Sequence, residues 1–517
     1  MKHFNITFEP DGKQISIHAS ATVLEAASQA GIILNTTCGG QGTCEKCSVI
    51  IEPDKQKVLA CQHVIESDLT VTVPQTSRFF EQKILTHGID IPENILSNVP
   101  DKTKNLFGVA VDIGTTTVVA KLIDLSDGKI IDTKADLNPQ IKFGDDCISR
   151  INHAVDESNL AELQKIIIDC INTLIKKLCK QASIKSHLIY EVCIVGNTTM
   201  NHIFLKLPVA QLGQAPYKPH NLDAVDVCPD EIGLKINPKG NIHVAANIAG
   251  FVGSDITAVA LAAEIDAATD MTLIVDIGTN GELLLGNKEK IYAASCAAGP
   301  AFEGARIIHG SRATDGAIEA VVMNDDDIDI DVIGNSAPRS LCGSGLIDAV
   351  AVILDLGVID STGRFVEPDK LKEKLPPAIF SRITTHDNQP AFKLAKKVLL
   401  TQADIRQTQL AKAAIRTGIT LLLNKVNCDD SAIKQVMLAG AFGNYIRKTS
   451  ALRIGLLPNV LPEYIHFIGN AAASGAQMIL LSNHSRKNAS DLAKKIEYVE
   501  IAHEKTFNDT FADSMLF

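Results

Sequence analysis

Apolar and polar residues alternate along the first part of the chain: Phe4, Ile6 and Phe8 share one face, Asp11-Gly12 supplies a turn, and Ile15 and Ile17 resume the alternation. A period of two puts every second side chain on one side of a strand, so this stretch predicts a β-hairpin. Thr22 is a helix-capping residue type, and Val23, Leu24, Ala26, Ala27 and Ala30 after it predict a short helix stopped by Gly31. Ser48 to Ile51 and Leu69 to Val73 return to strand-like content. Residues 76–106 are rich in Lys, Asn, Ser and Pro without sustained periodicity, the mark of a linker. Beyond them the apolar runs are longer. Phe107 to Val111 predicts a buried strand, followed after a tight turn by a second, Val118 to Ile123; the same construction returns at Thr272 to Val275 and Glu282 to Leu285. The expected organisation is a small domain at 1–75, a linker at 76–106, a first lobe at 107–265 and a second at 266–517, and with 46% hydrophobic residues there is material for a core in each.

The turns between these strands carry the chemistry. Val111-Asp112-Ile113-Gly114-Thr115-Thr116-Thr117 is repeated as Val275-Asp276-Ile277-Gly278-Thr279-Asn280-Gly281. Gly114 and Gly278 have no side chain to hold phosphate oxygens away, and the amides and hydroxyls of Thr115, Thr116, Thr117, Thr279 and Asn280, with Gly281, are donors suited to them. Asp112 and Asp276 are suited to hold Mg2+ through its water shell. One such turn is weak evidence; two copies in one chain are a strong signal.

A second constellation lies in the small domain. Cys38, Cys44 and Cys47 form a C-x5-C-x2-C run in a glycine-rich loop, with Cys61 further on. Zinc sites usually pair two C-x2-C knuckles or recruit histidines, and only Cys44 and Cys47 form such a pair. The spacing instead resembles the 2Fe-2S ferredoxins, whose loop amides tune the cluster. That resemblance implies an α+β, β-grasp ferredoxin domain with Cys38, Cys44, Cys47 and Cys61 as metal ligands. The other eight cysteines lack ligand spacing, so one cluster is expected.

The duplicated hairpins resemble the actin, sugar kinase and heat-shock-protein-70 superfamily, which implies an α/β ATPase of two ribonuclease-H-like lobes clasping ATP. Val436 to Ala439 entering the turn Gly440-Ala441-Phe442-Gly443 then corresponds to the element that contacts adenosine, and Gly343 and Ser344, opening a helix over Leu346 to Leu354, are candidates to face phosphate or ribose. A ferredoxin fused to this ATPase resembles the reductive activators of corrinoid enzymes. The agreement extends through Asn138-Pro139-Gln140, Ser149-Arg150-Ile151, Val195 to Met200 with His202, Ala298 to Gly304 and Asp404 to Gln407, although the segment joining ferredoxin to ATPase is shorter than in larger members.

The resemblance implies one 2Fe-2S cluster and ATP with Mg2+ as cofactors. It also implies a corrinoid partner, either a corrinoid iron-sulfur protein or the corrinoid subunit of a methyltransferase, and a low-potential electron donor. ATP would drive return of Co(II) to Co(I). Glu282, directly after the second turn, is expected to orient the attacking water, with Asp112 and Asp276 completing the catalytic set. Three other functions stay open at this point: a redox-sensing small-metabolite kinase of the same fold, for which the sequence offers no recognisable base or substrate pocket, an ATP-gated chaperone-like binding protein, and an ATP-driven electron donor to another low-potential enzyme.

Composition narrows the partners. A net charge of -11 without a basic run argues against nucleic acid and anionic membranes. Unpaired thiols, the lack of a signal peptide over Met1 to Pro10 and the lack of a long apolar run predict a cytoplasmic protein with no membrane span. The acidic run Asn324 to Asp331 reads as a solvated hairpin turn. The stretch Ser490 to Ile496 with Phe507, Phe511 and Phe517 offers an apolar surface to its own domain or to a second copy in a homodimer.

Overall fold

The hydrophobic patterns resolve into five sheets in a computed structural model that describes residues 2–19, 21–30, 32, 34, 42, 47–74, 77, 106–144, 146–278, 280–440 and 446–517. The linker expected over 76–106 therefore lies almost wholly outside the described residues. In the first unit, His3–Glu9 (β1) and Lys13–His18 (β2) form the hairpin that the alternation requires, Ile6 standing opposite Ile15. Ser48–Glu52 (β3), Gln56–Leu59 (β4) and Leu69–Thr72 (β5) complete a sheet of order β2-β1-β5-β3-β4, with β5 parallel to β1. Helix Val23–Gln29 buries Val23, Ala26 and Ala27 in one core with Ile6, Phe8 and Val71. Its start is a capping box: Thr22 N–H donates to Glu25 Oε2 at 2.7 Å, and Glu25 N–H to Thr22 Oγ1 at 3.2 Å. This is the expected β-grasp arrangement.

The repeated motif is the seed of a repeated sheet. Phe107–Ile113 (β6), Thr117–Asp124 (β7) and Ile130–Leu137 (β8) form an antiparallel meander, extended on the β6 side by Ile189–Gly196 (β9), the short antiparallel Val225–Val227 (β10) and Asn241–Val244 (β11), in the order β10-β11-β9-β6-β7-β8. The second copy repeats the plan: Met271–Ile277 (β12), Gly281–Gly286 (β13) and Ile291–Cys296 (β14) form the meander. Insertions follow, a three-stranded sheet of Ala317–Asn324 (β15), Asp327–Val332 (β16) and Ser340–Leu341 (β17) and another of Ile383–His386 (β18), Gln389–Ala395 (β19) and Val398–Thr401 (β20). The main sheet then closes with Ile433–Ala439 (β21) and Ile465–Gly469 (β22), parallel beside β12, and Glu497–Tyr498 (β23) beside β14.

Helices cover both faces of each sheet. On the outer face of the first sheet, Glu157–Ala182 shows a 3.6-residue period, burying Leu160, Leu163, Ile167, Ile171, Leu174 and Leu178. Gly343–Asp355 and Gln402–Lys425 share the outer core of the second sheet. Between the two sheets lies a third core, in which helices Ser254–Ala263, Ala471–Leu481 and Asn483–Lys495 meet Ala110 and Val195 of the first sheet and Ile274, Leu284 and Met437 of the second. The C-terminal helices therefore do not stay with the second sheet. Phe507, Phe511 and Phe517 pack against the second lobe's own core. The acidic run forms the β15–β16 hairpin with Asp325 and Asp326 at its exposed turn, as expected, but Asp331 at its far end is buried.

Candidate nucleotide and cluster sites

Both hairpins open toward the inter-sheet helices. In the first, Gly114 N–H closes the turn on the Thr117 carbonyl at 3.0 Å. The remaining carbonyls are held from behind: Asn138 Nδ2 donates to Gly114 O at 2.9 Å, Arg150 Nη2 to Thr115 O at 2.6 Å, and Asn138 N–H to Thr116 O at 2.8 Å. In a trans peptide the N–H points opposite to the C=O, so these bonds turn the amides of Thr115, Thr116 and Thr117 away from Asn138 and Arg150. The result is a row of donors of the kind that cradles phosphate, with a wholly buried guanidinium behind it. Asn197 Nδ2 fixes the Thr115 hydroxyl at 2.9 Å, and Thr116 Oγ1 donates to Glu303 Oε2 at 3.2 Å, tying the first hairpin to the Ala298–Gly304 segment of the second lobe. Asn138, Arg150, Asn197 and Glu303, known from the sequence only as points of resemblance, are thus the supports of this turn. Replacing Arg150 by Met keeps volume but removes the bond to Thr115 O; we expect nucleotide affinity to fall at least about tenfold, since a charge-assisted bond contributes about 1.5–3 kcal/mol, as isothermal titration with Mg-nucleotide would measure.

Four carboxylates converge in front of the hairpins. Asp112 and Asp276 end β6 and β12; Glu282 stands directly opposite Asp276 across the β12–β13 pair, where cross-strand side chains are neighbours. The equivalent position opposite Asp112 is Val119, so Glu282 is not a feature of the repeated scaffold. The fourth, Asp255, sits in the first turn of helix Ser254–Ala263, whose remaining residues are all buried and, apart from Ser254 and Thr257, apolar. Burial raises the pKa of Asp112 to about 6, against an opposing hydrogen bond from Asn470 and the charge of Lys121. Burial, then the charge of Asp112, raises Asp276 to about 7. Burial, then Asp112, with a further push from Asp276, raises Asp255 to about 8. Glu282 is pushed well up by burial, Asp255 and Asp276. Like charges so placed call for a cation. Among the described residues no three ligating side chains converge as a direct metal cage. That suits Mg2+, which dehydrates reluctantly and keeps several waters between itself and carboxylates.

Asp255 and Asn470 were not found from the sequence. Asn470 caps helix Ala471–Leu481 by accepting from Ala473 N–H at 2.8 Å and donates from Nδ2 to Asp112 Oδ2 at 3.1 Å. The available signal was a polar residue at the start of each of two alanine-rich, predominantly apolar helices. Gly440 abuts Asp276: a Cβ there would lie 2.6 Å from Asp276 Oδ1, and its φ of +86° is itself glycine territory. Ala441, Phe442 and Gly443 lie outside the described residues, as does Thr279. Asn280 and Gly281 lie beside Gly278, whose N–H bonds to the Asn280 carbonyl at 3.0 Å. Gly343 and Ser344 open their helix as expected but are buried, and the Ser344 hydroxyl is engaged by the Glu319 carbonyl at 2.8 Å, so this helix start is packed on β15. His202 is a neutral core imidazole: Nε2 accepts from the amides of His220 and Asn221 at 3.1 and 3.3 Å, Nδ1 faces the Thr198 carbonyl, and burial pushes its pKa down to about 4. Asp146 caps helix Cys147–His153 through Ser149 N–H.

The raised carboxylates set a pH dependence. Their folded pKa values of about 6, 7 and 8 exceed the unfolded value near 3.9. The folded state therefore holds more protons, and its stability falls as pH rises from about 4 through 8. We expect the melting temperature of metal-free, nucleotide-free protein to fall between about pH 6 and 8, and Mg-ATP to restore most at the upper end; a scanning-calorimetry profile flat across this range would contradict the clustering.

In the small domain Cys47 and Cys61 are both buried, their sulfurs 3.4 Å apart. Two thiolates on one tetrahedral metal at about 2.3 Å stand about 3.7 Å apart, so this pair fits one metal of a cluster. Gln62 Nε2 lies 3.7 Å from Cys61 Sγ, and Gly42, with φ of +78°, approaches the Gln62 side chain so closely that a Cβ would stand 2.9 Å from its Cγ. Cys38 and Cys44 lie outside the described residues. Every described cysteine is unbridged.

These features coincide with three family models: a 2Fe-2S iron-sulfur cluster binding domain over residues 4–76, the RACo middle region over 107–268, and the C-terminal ASKHA domain of RACo over 270–517. The chain is also 33% identical to the corrinoid activation enzyme RamQ of Eubacterium limosum, with 98% of both chains covered. The chain belongs to the RACo family of corrinoid activation enzymes. Within it, the Co(II) methylated amine-specific corrinoid protein reductase of Methanosarcina barkeri is 23% identical over 78% of this chain and 76% of that one. A solved reductive activator for corrinoid, iron-sulfur protein superposes with a TM-score of 0.73 at 31% identity, covering 99% of this chain and 98% of that one. As a RACo-family enzyme the chain carries out reductive activation of corrinoid proteins, joining a 2Fe-2S domain to an actin-like, nucleotide-binding ASKHA fold. Among the described residues no helix is long and apolar enough to cross a membrane.

Proposed function

We propose that this chain hydrolyses Mg-ATP between its two hairpins and uses the cycle to bind a Co(II) corrinoid protein, assist its one-electron reduction to Co(I), and release it. The observation that carries this reading is the convergence of Asp112, Asp255, Asp276 and Glu282 from two sheets and an inter-sheet helix. The amides of Thr115 to Thr117 bind phosphate oxygens, and Gly278 to Gly281 close on them from the second lobe. Asp112 and Asp276 would hold the water shell of Mg2+, which when bound would offset charge on the phosphates. Glu282 and Asp255 position the attacking water.

Cys38, Cys44, Cys47 and Cys61 would hold the 2Fe-2S cluster, which when bound would supply one-electron chemistry from a low-potential donor. Reducing Co(II) from such a donor is uphill by about 2.3 kcal/mol for each 100 mV. Binding energy realised only with the corrinoid protein in its Co(II) state supplies the difference, and hydrolysis resets the lobes, which share the inter-sheet core. The partner is a corrinoid iron-sulfur protein or a methyltransferase corrinoid subunit. The unbridged thiols among the described cysteines support a cytoplasmic location. Size-exclusion chromatography of the chain with a Co(II) corrinoid protein tests the cycle: a non-hydrolysable ATP analogue should trap the complex and Mg-ATP should dissolve it after reduction. Complexes of equal lifetime under both conditions would count against hydrolysis-driven release.

A further inference from the structure

A buried carboxylate needs a partner, and the partner of Asp331 comes from the other end of the chain. His3 Nε2 lies 2.6 Å from Asp331 Oδ1, with side-chain exposures of 17% and 5%. Within the acidic hairpin this residue stands apart: Asp325 and Asp326 are exposed at the turn, Asp327 pairs with Arg382, and Asp329 takes a bond from Asn324, whereas Asp331 faces the ferredoxin domain. Beside it is Glu319, at the β-bulge where β15 shifts register against β16. Burial, then the charge of Asp331, raises Glu319 to about 7, and His3 acts in the opposite sense, so the three groups face one another. A second hydrogen bond and a longer-range charge pair follow the same boundary. Asn335 Nδ2 donates to Ser16 Oγ of β2 at 3.2 Å, and Glu25 of the ferredoxin helix acts on Lys448 in the helix after the Gly440 turn. The described junction is thus made of polar pairs from β1, β2 and the capped helix, set against β15–β16 and its flank. Polar junctions of this kind are typical of domains that separate.

We propose that strands β15–β16 are a docking station for the ferredoxin domain and that the His3–Asp331 hydrogen bond, with Glu319 beside it, is the reversible catch that holds the domain on the second lobe. The catch is remote in sequence from the cysteines and from both hairpins, so releasing it leaves cluster and nucleotide sites intact.

Small-angle X-ray scattering on the full, cluster-loaded chain under anaerobic conditions tests this with His3→Ala, Asp331→Asn and, as a control on the same strand, Asp329→Asn. A compact chain of this length has a radius of gyration of about 24 Å. We expect wild type and Asp329→Asn to give that compact profile, and His3→Ala and Asp331→Asn each to add several ångströms while keeping the cluster absorbance. His3→Ala alters a strand end and guards against misfolding of the Asp331 variant. Profiles of both variants superimposable on wild type, or equal expansion in the Asp329 control, would overturn the proposal.

Discussion

A Cys61→Ser chain loses its 2Fe-2S absorbance and its ability to reduce a Co(II) corrinoid protein together, while its Mg-ATP hydrolysis stays close to wild type. The expectation follows from geometry. Cys61 and Cys47 are buried with sulfurs 3.4 Å apart, so removing one thiolate strips a ligand that no other described thiol is placed to supply. The carbonyls of Gly114 to Thr116 are held from within the first lobe, by Asn138 and Arg150. Visible absorbance, corrinoid reduction and phosphate release measured on one preparation separate the two sites. A variant that keeps the cluster signal would show that Cys61 is not a ligand, and one that loses ATP hydrolysis as well would show that the domains do not work as separable parts.

The second large effect is expected at Asp276. Asp276→Asn keeps the size of the side chain and the glycine contact at Gly440 but removes a charge facing Asp112 and Glu282. ATP hydrolysis should fall at least about a hundredfold, or about 2.7 kcal/mol of transition-state stabilisation. Stability should move the other way. With one fewer carboxylate in the cluster, the metal-free protein at pH 8 should melt higher than wild type, because the repulsion that raises Asp255 and Glu282 is relieved. Activity down and stability up is the signature of a charge kept for function. A merely structural Asp276 would lower both, and calorimetry beside a phosphate-release assay distinguishes the cases.

The sequence displayed those parts of the fold that local chemistry dictates. The alternation at Phe4, Ile6 and Phe8 became β1, and the two D-x-G-T turns became equivalent corners of two sheets, because a strand-turn-strand unit is specified by residues close in the chain. What it did not display depends on contacts remote in sequence. Asp255 is an ordinary first-turn acid until its helix is placed between two sheets, where it meets Asp112 and Asp276. Asn470 reads as a helix cap, and only the crossing of Ala471–Leu481 to the first sheet gives its second hydrogen bond a target. Ser344 shows the reverse case: a glycine-flanked serine at a helix start has the local features of a phosphate site, but tertiary packing commits its hydroxyl to Glu319. Asp331 belongs by composition to a solvated acidic run and by position to a domain junction. Cys38, Cys44, Thr279 and Ala441 to Gly443 fall outside the described residues, so their roles rest on the sequence pattern.

The central claim is that nucleotide hydrolysis at the carboxylate cluster and electron delivery from the cysteine cluster serve one reaction. Its most direct test is anaerobic. Cluster-loaded protein, a Co(II) corrinoid protein and a low-potential reductant are mixed, and the cobalt absorbance is followed with and without Mg-ATP. Co(I), or methyl-Co(III) when a methyl donor is present, should accumulate only with Mg-ATP and not with the Asp276→Asn or Cys61→Ser chains. Co(I) formation at the same rate without nucleotide would contradict it.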